Sequence, residues 1–138
     1  MYDRIFVPTD GSDGALAAAE HAVSLAREQG ATVHALSVVH LRPSLEPNVE
    51  AVLDALEARA EAAVEAVEGL GADAGVEVVS AIEDAVPSEA IVDYAEDRDV
   101  DLVVMGSHGH SRLHDLLLGS TTERVLRTCD RPVLVVRA

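Results

Sequence analysis

Apolar residues fall into two kinds of segment that alternate along the chain. The first kind is a short, nearly unbroken apolar run, found at residues 4–8, 32–39, 76–82, 101–105 and 132–136. The second kind repeats its apolar positions at helical spacing, as residues 15–29, 49–67 and 121–128 do. Unbroken runs are typical of parallel strands that are buried on both faces. The alternation predicts a three-layer α/β fold, in which a doubly wound open sheet of five parallel strands lies between helices.

Turn and capping residues indicate where the predicted helices begin and end. Ser12 or Asp10 is suited to cap the first helix, because a short oxygen-bearing side chain accepts hydrogen bonds from the free N–H groups of a first turn. Gly69 and Gly71 are expected to end the second helix, because glycine favours the left-handed conformation at helix ends. No linker, repeat or low-complexity tract interrupts the pattern, so residues 1–138 are predicted to form one domain.

Two polar segments that contain glycine directly follow predicted strands. One is the turn Thr9-Asp10-Gly11-Ser12, and the other begins at Gly106. Because parallel strands end at the same edge of a sheet, the two segments face one crevice if the first and fourth strands are neighbours. A glycine loop between a strand and a helix N-terminus lets backbone N–H groups approach an anion, and the helix end adds a positive partial charge. The sequence therefore predicts a phosphate cradle, and with it nucleotide binding, at this edge.

The glycines of the second segment have a defined spacing. Gly106 is followed after two residues by Gly109, and after nine more by Gly119 and Ser120. This is not a Walker loop, which ends in Gly-Lys-Ser or Gly-Lys-Thr, and it is not the dinucleotide fingerprint either. Ser120 and Thr121 offer hydroxyl and free N–H groups at the start of the following helix. The combination of strand, glycines and helix start favours phosphate binding more strongly than any single glycine.

Charged side chains near these loops leave alternatives open. Asp10 is either a helix cap or a carboxylate that reaches a ribose hydroxyl or a phosphate-bound Mg²⁺. Arg112 could reach terminal phosphates, or lie in a solvated loop. His108, His110 and His114 share that loop, but a metal site is disfavoured because no carboxylate or cysteine completes a ligand spacing. No pairing of a nucleophile with a base can be identified, so at most weak ATP hydrolysis is expected.

Along nearly its whole length the chain resembles the universal stress protein family. Its opening, Ile5-Phe6-Val7-Pro8-Thr9-Asp10-Gly11-Ser12, is similar to that family's opening, and its Gly-x2-Gly-x9-Gly-Ser spacing is that of the ATP-binding members. The resemblance implies a sheet of the adenine-nucleotide hydrolase-like type with strand order 3-2-1-4-5. It implies ATP, or another adenine nucleotide, with Mg²⁺ or Mn²⁺ over the strand ends. It also implies a homodimer that pairs through the last strand, Val133–Val136.

The same resemblance implies a set of nucleotide contacts, carried over by matching position. The set consists of Pro8, Thr9, Asp10, Val38, Met105, Gly106, Gly109, Gly119, Ser120 and Thr121, and His110 and Arg112 of the same loop are predicted to contact the nucleotide as well. The residues after the first strand line the adenosine side, and the glycines and hydroxyl residues hold the phosphates. Asp10 is also the implied metal ligand. His110 and Arg112 depart from the residues that are usual in the family.

Acidic residues dominate the charge of the chain. Asp and Glu number 25 against 10 basic residues, all of them Arg, and the net charge is −15. This charge repels phosphate backbones and anionic membranes, so nucleic acid and membranes are not expected as partners. Glu57, Glu61 and Glu65 stand four residues apart on one predicted helix, where like charges repel in dilute salt. A halophilic protein, adapted to molar salt that screens such repulsion, is the favoured interpretation.

A cytoplasmic location is the expectation from the cysteine content and the N-terminal sequence. Cys129 is the single cysteine, which rules out an intrachain disulfide and fits a reducing compartment. The apolar run at residues 5–7 is too short for a signal peptide, and no stretch approaches the roughly 20 apolar residues of a membrane span.

Three functions are consistent with this fold, and the sequence favours one of them. The favoured function is that of an ATP-binding regulatory protein of the stress-response type, whose bound nucleotide and dimeric state act as a signal. The alternative is a slow ATPase or phosphotransferase of the same fold. A phospho-receiver domain is disfavoured, because it needs a Lys after the last strand and an Asp at the end of the third, which ends in Ser80-Ala81-Ile82.

Overall fold

The computed structural model describes residues 1–40, 49–108 and 118–137. Within these ranges, five strands alternate with four helices: β1 (Arg4–Pro8), α1 (Asp13–Gln29), β2 (Thr32–Val39), α2 (Val49–Ala74), β3 (Val78–Asp84), α3 (Pro87–Asp97), β4 (Leu102–Gly106), α4 (Ser120–Thr128) and β5 (Val133–Val136). All described strand pairs are parallel, and the sheet order is β3-β2-β1-β4-β5. The predicted fold class and strand order are therefore confirmed.

Two apolar clusters, one on each face of the sheet, form the described core. Ile5 and Val7 of β1 point to the cluster that α1 and α2 cover. Phe6 points to the opposite face, where Ile91 of α3 and Val125 of α4 complete the second cluster. Because successive side chains of a strand point to opposite faces, a strand that is covered on both faces is apolar at every position. This packing explains the unbroken apolar runs of the sequence.

Alanine on the inner face of α1 brings that helix close to the sheet. Ala18, Ala19 and Ala22 are fully buried against β1 and β4. Ser12 caps the helix start, since its Oγ accepts the N–H of Ala15 at 3.2 Å. The close approach positions the first turn of α1 directly beside the carboxyl end of β4.

The second helix does not end where the sequence predicts. It continues through Gly69 and Gly71 to Ala74, and the left-handed residue that follows is Gly75, with φ of 69°. Gly71 lies inside the helix because β3 packs there: a Cβ at this position would meet the side chain of Val78. A glycine that permits close packing looks like a stop signal in the sequence, so the prediction was wrong. β3 correspondingly spans residues 78–84 instead of 76–82.

The strand order reverses at the carboxyl ends of β1 and β4, and the region beyond these strand ends is called the crevice below. From β1 the chain continues to β2 and β3 on one side, and then crosses to β4 and β5 on the other. The helices that follow these two strands, α1 and α4, thus lie on opposite faces of the sheet. In open α/β sheets, ligands bind at this reversal of strand order.

Candidate functional site

The turn between β1 and α1 is held by its own side chains. The N–H of Gly11 donates to Oγ1 of Thr9 at 3.1 Å, and the N–H of Ser12 donates to Oδ1 of Asp10 at 2.9 Å. Thr9 is buried, whereas Asp10 is exposed at the edge of the sheet. Ser12, not Asp10, is the cap of α1. The carboxylate of Asp10 thus shapes the turn and also stands at the crevice.

The segment after β4 is bound on both sides. The N–H of Ser107 donates to the carbonyl of Val136 at 3.0 Å, and the carbonyl of Ser107 accepts the N–H of Gly119 at 2.7 Å. Thr122 donates its hydroxyl to the carbonyl of Gly106 at 3.0 Å. These bonds fix the start of α4 against the end of β4, although the chain between them is long.

The N-terminus of α4 has no side-chain cap among the described residues. Gly119 is its N-cap and contributes no side chain, and within the described part of the chain no other side chain caps the helix. Ser120 is exposed and Thr121 half-buried. The first N–H groups of a helix have no intrahelical acceptor, and the helix dipole makes them favourable partners of phosphate oxygens.

Two glycines let the backbones around the crevice touch. A Cβ on Gly106 would lie 2.7 Å from both the carbonyl carbon and the oxygen of Gly14, and a Cβ on Gly14 would lie 2.7 Å from the carbonyl oxygen of His108. Any larger residue would therefore force these segments apart. The spacing of the glycines predicts a role for Gly106 but not for Gly14. The position of Gly14 in the first turn of a helix does indicate a special role, because glycine lowers the stability of a helix.

The structure brings most of the predicted nucleotide contacts to one edge of the sheet. Pro8, Met105 and Gly106 are buried at the ends of β1 and β4, and Val38 is half-buried near the end of β2. The remaining described contacts are those of the β1–α1 turn and of the α4 start given above. Gly109, His110 and Arg112 lie outside the described residues. The roles assigned to all of these residues remain predictions.

A second observation concerns His108, which is half-buried beside the crevice. Its Nδ1 lies 3.1 Å from Oγ of Ser107. Its Nε2 is buried and has no hydrogen-bond partner, the one such side-chain atom in the described ranges. Among the described residues no group of three or more His, Cys, Asp or Glu side chains is arranged to hold a metal ion.

A cavity of about 280 Å³ opens at the opposite edge of the sheet. Its lining residues are Asp3, Arg4, Thr32, His34, Asp99 and Asp101. Oδ2 of Asp101 accepts the N–H groups of Asp3 and Arg4 at 2.7 and 2.9 Å, and these bonds, that of Arg4 foremost, lower the pKa of Asp101. Asp99 pairs with Arg131 at 2.8 Å. Asp101 and Asp99 already have partners in the protein, which connect the starts of neighbouring strands. The cavity is therefore a weaker candidate for a ligand site than the crevice.

Fold and site together define a doubly wound α/β protein in which two glycine-containing segments and the start of α4 lie where the strand order reverses. A sequence model of the universal stress protein family matches residues 1–137. The chain belongs to that family. Among the described residues, no helix combines the length and the apolar character needed to cross a membrane.

Relatives in sequence and in structure agree with this assignment. Universal stress protein MJ0531 of Methanocaldococcus jannaschii is 38% identical over 141 residues, which cover 99% of this chain and 83% of the relative. The structure of UspA from Lactobacillus plantarum has a TM-score of 0.84 at 32% identity, covering 99% of this chain and 98% of that one. A universal stress protein solved in complex with cAMP has a TM-score of 0.76 at 26% identity, covering 98% of this chain and 97% of that one.

Proposed function

We propose that this protein binds an adenine nucleotide, with ATP as the first candidate, at the crevice between the β1–α1 turn and the start of α4. The observation that carries the proposal is the uncapped N-terminus of α4, held against the end of β4 by Gly119 and Thr122. A helix end of this kind offers N–H groups and a positive partial charge to a phosphate. The relative solved with cAMP supports an adenine nucleotide as the ligand class.

We assign the roles within the site as the resemblance to the family implies. The turn after β1, with Thr9 and Asp10, contacts the ribose side, and the backbone of Val38 is the candidate partner of the adenine. Ser120 and Thr121 hold the phosphates. Asp10, exposed at the crevice, is the proposed ligand of Mg²⁺ or Mn²⁺, because hard cations prefer carboxylate and phosphate oxygens. The metal would neutralise phosphate charge that the acidic chain otherwise repels.

We further propose that the protein acts as a homodimer whose nucleotide-bound state is a regulatory signal. β5 lies at the edge of the sheet, and all four of its valine and leucine side chains are half-buried. An edge strand of this composition favours pairing with another chain. A second copy of Val133–Val136 would cover it. Light scattering that returns the mass of one chain would contradict the dimer.

Titration with ATP and Mg²⁺ tests the binding proposal, with Gly119→Val as the informative variant. Gly119 has φ of −61° and ψ of 151°, an extended conformation that valine adopts without strain, so the fold should persist. The added side chain would stand over the helix N-terminus and block the approach of phosphate. We expect calorimetric heat and a raised Tm for the unsubstituted protein, and loss of both in Gly119→Val. At a ligand concentration of about 100 times Kd, binding stabilises by about 2.7 kcal/mol.

Gly69→Ala is the matched control for this experiment, because it changes an exposed glycine of α2 with open space around it. It should bind ATP as the unsubstituted protein does.

Asp10→Asn should weaken binding more in the presence of Mg²⁺ than in its absence, if Asp10 holds the metal. If ATP and Mg²⁺ produce no calorimetric heat and no rise in Tm with the unsubstituted protein, the proposed function is overturned. Mass spectrometry of any small molecule released on denaturation would identify the nucleotide that the protein carries.

A further inference from the structure

The N-terminal part of α2, residues 49–59, extends beyond the part of the helix that packs on the sheet. The buried residues of α2 lie between Ala60 and Gly71, and none lies in residues 49–59. This part is rich in Ala, Leu and Glu, which favour the helix, and it lengthens a helix that packing has already nucleated. It therefore stays helical without a buried face of its own.

The apolar stripe of α2 continues past the point where burial ends. Its members here repeat at a spacing of three and four residues that leads on to Ala60, and they are Val49, Val52, Leu53 and Leu56. They therefore lie on the same face that packs on the sheet further along the helix. Val49 and Val52 are 40% and 38% exposed, and the two leucines are half-buried. Apolar residues aligned in this way, unlike scattered ones, mark an interaction surface.

Acidic side chains border this stripe on one side. Glu50, Asp54 and Glu57 are exposed, and at about 100° of rotation per residue they lie along the same flank of the helix. Residues 49–58 contain no basic residue. Two copies that met through this stripe would bring like charges together, whereas a basic partner would pair with them. The charge of the flank therefore favours a basic occupant over a second copy.

The stripe lies close to the turn between β1 and α1. A Cβ on Gly11 would lie 3.4 Å from Cβ of Ala63, so the turn packs directly against α2. Leu56 is about two helical turns away from Ala63, or about 10 Å along the axis. A partner on the stripe would thus lie beside the crevice.

We propose that residues 49–56 of α2 form a docking surface for another protein, and that the occupant is an amphipathic helix whose apolar face is bordered by Lys or Arg. Such helices bind through anchors at the spacing that the stripe presents. The acidic flank selects the basic residues of the partner and fixes its orientation. The inference goes beyond the proposed function and does not depend on nucleotide binding.

A synthetic helix of Leu and Lys, with its Leu residues on one face, serves as the probe of this surface. In one reference peptide Ser replaces Leu, and in another Glu replaces Lys. The double variant Val49→Ser with Val52→Ser removes the two most exposed anchors and retains every charge. Leu16→Ser is the matched control, because Leu16 lies on α1 and is also 38% exposed. Calorimetry measures the affinity of each protein for each peptide.

We expect the Leu/Lys peptide to bind the unsubstituted protein and Leu16→Ser with affinities within about threefold of each other. The double variant should bind this peptide about tenfold more weakly, because two apolar contacts are lost. Its Tm should stay close to that of the unsubstituted protein, since Val and Ser have similar helix propensities. The Ser/Lys peptide should bind all three proteins equally and weakly, and the Leu/Glu peptide should bind none of them.

Three outcomes would overturn the inference. The first is a double variant that binds the Leu/Lys peptide as tightly as the unsubstituted protein does, because charge alone would then hold the peptide. The second is a Leu/Glu peptide that binds as well as the Leu/Lys peptide. The third is light scattering in which the double variant loses an oligomer that the unsubstituted protein forms, because a second copy would then be the occupant. Titration with ATP and Mg²⁺ is a separate measurement, and its failure would overturn the proposed function without changing these results.

Discussion

At the scale of single residues, the buried pair of His34 and Tyr94 shows how a polar group is accommodated in the core. Nδ1 of His34 lies 2.8 Å from the hydroxyl of Tyr94, whose ring stacks on Phe6 at 4.6 Å. Both side chains are less than one-tenth exposed. Burial, and then the charges of Arg98 and Arg4, lower the pKa of His34, and Glu77 opposes them. Burial raises the pKa of Tyr94. The folded protein therefore favours the neutral form of both residues.

The lowered pKa of His34 predicts a loss of stability on acidification. The unfolded chain takes up a proton at His34 as the pH falls through about 6.5, before the folded protein does. The free energy of unfolding must then fall with pH below that value, because the unfolded state binds more protons. Urea unfolding between about pH 7.5 and about pH 5.5 measures this fall. His34→Asn should show a smaller fall, whatever its stability at neutral pH.

His21→Asn is the control for this prediction, because His21 is an exposed histidine on α1. It should retain the pH dependence of the unsubstituted protein over the same range. If His34→Asn and the unsubstituted protein lose the same free energy of unfolding, then protonation of His34 does not contribute to acid sensitivity.

At the scale of helices and strands, the sequence predicts what local pattern determines and fails where packing decides. Unbroken apolar runs locate the five described strands, and helical spacing locates α1, α2 and α4, because burial on both faces or on one face leaves a distinct pattern in the sequence. The prediction for Gly71 was wrong, because glycine occurs both at helix ends and inside helices where a neighbouring strand packs closely. The role of Gly14 is harder to predict, because its contacts with Gly106 and with the carbonyl of His108 join residues that are distant in the chain.

The two glycines inside α2 give opposite predictions. Gly69 is exposed and has open space where a Cβ would lie, so Gly69→Ala should raise the free energy of unfolding by about 0.5–1 kcal/mol through helix propensity. Gly71 faces β3, and its Cβ would meet Val78 and lie 2.9 Å from the carbonyl oxygen of Val76. Gly71→Ala should therefore lower that free energy by about 1–3 kcal/mol. Denaturant unfolding of both variants tests the packing; equal effects would contradict it.

At the scale of the whole molecule, the charge balance predicts that the protein is less stable in dilute salt than in concentrated salt. The chain carries 25 acidic against 10 basic residues, and the described part forms two ion pairs, Arg127 with Glu123 and Arg131 with Asp99. Most carboxylates in the described part therefore form no ion pair with an arginine there. On α2, Glu57, Glu61 and Glu65 are exposed on consecutive turns, at the spacing where like charges repel.

Screening of this repulsion predicts that the Tm rises with KCl. The Debye length falls from about 10 Å at 0.1 M to about 3 Å at 1 M, which crosses the roughly 5–6 Å between helical neighbours four residues apart. The rise should therefore be concentrated between these two concentrations. A variant with Glu57→Gln, Glu61→Gln and Glu65→Gln should have a higher Tm in dilute salt and a smaller rise. Because a general salting-out effect would act equally on both proteins, the difference between the two slopes isolates charge repulsion, and parallel slopes would assign the salt response to another cause.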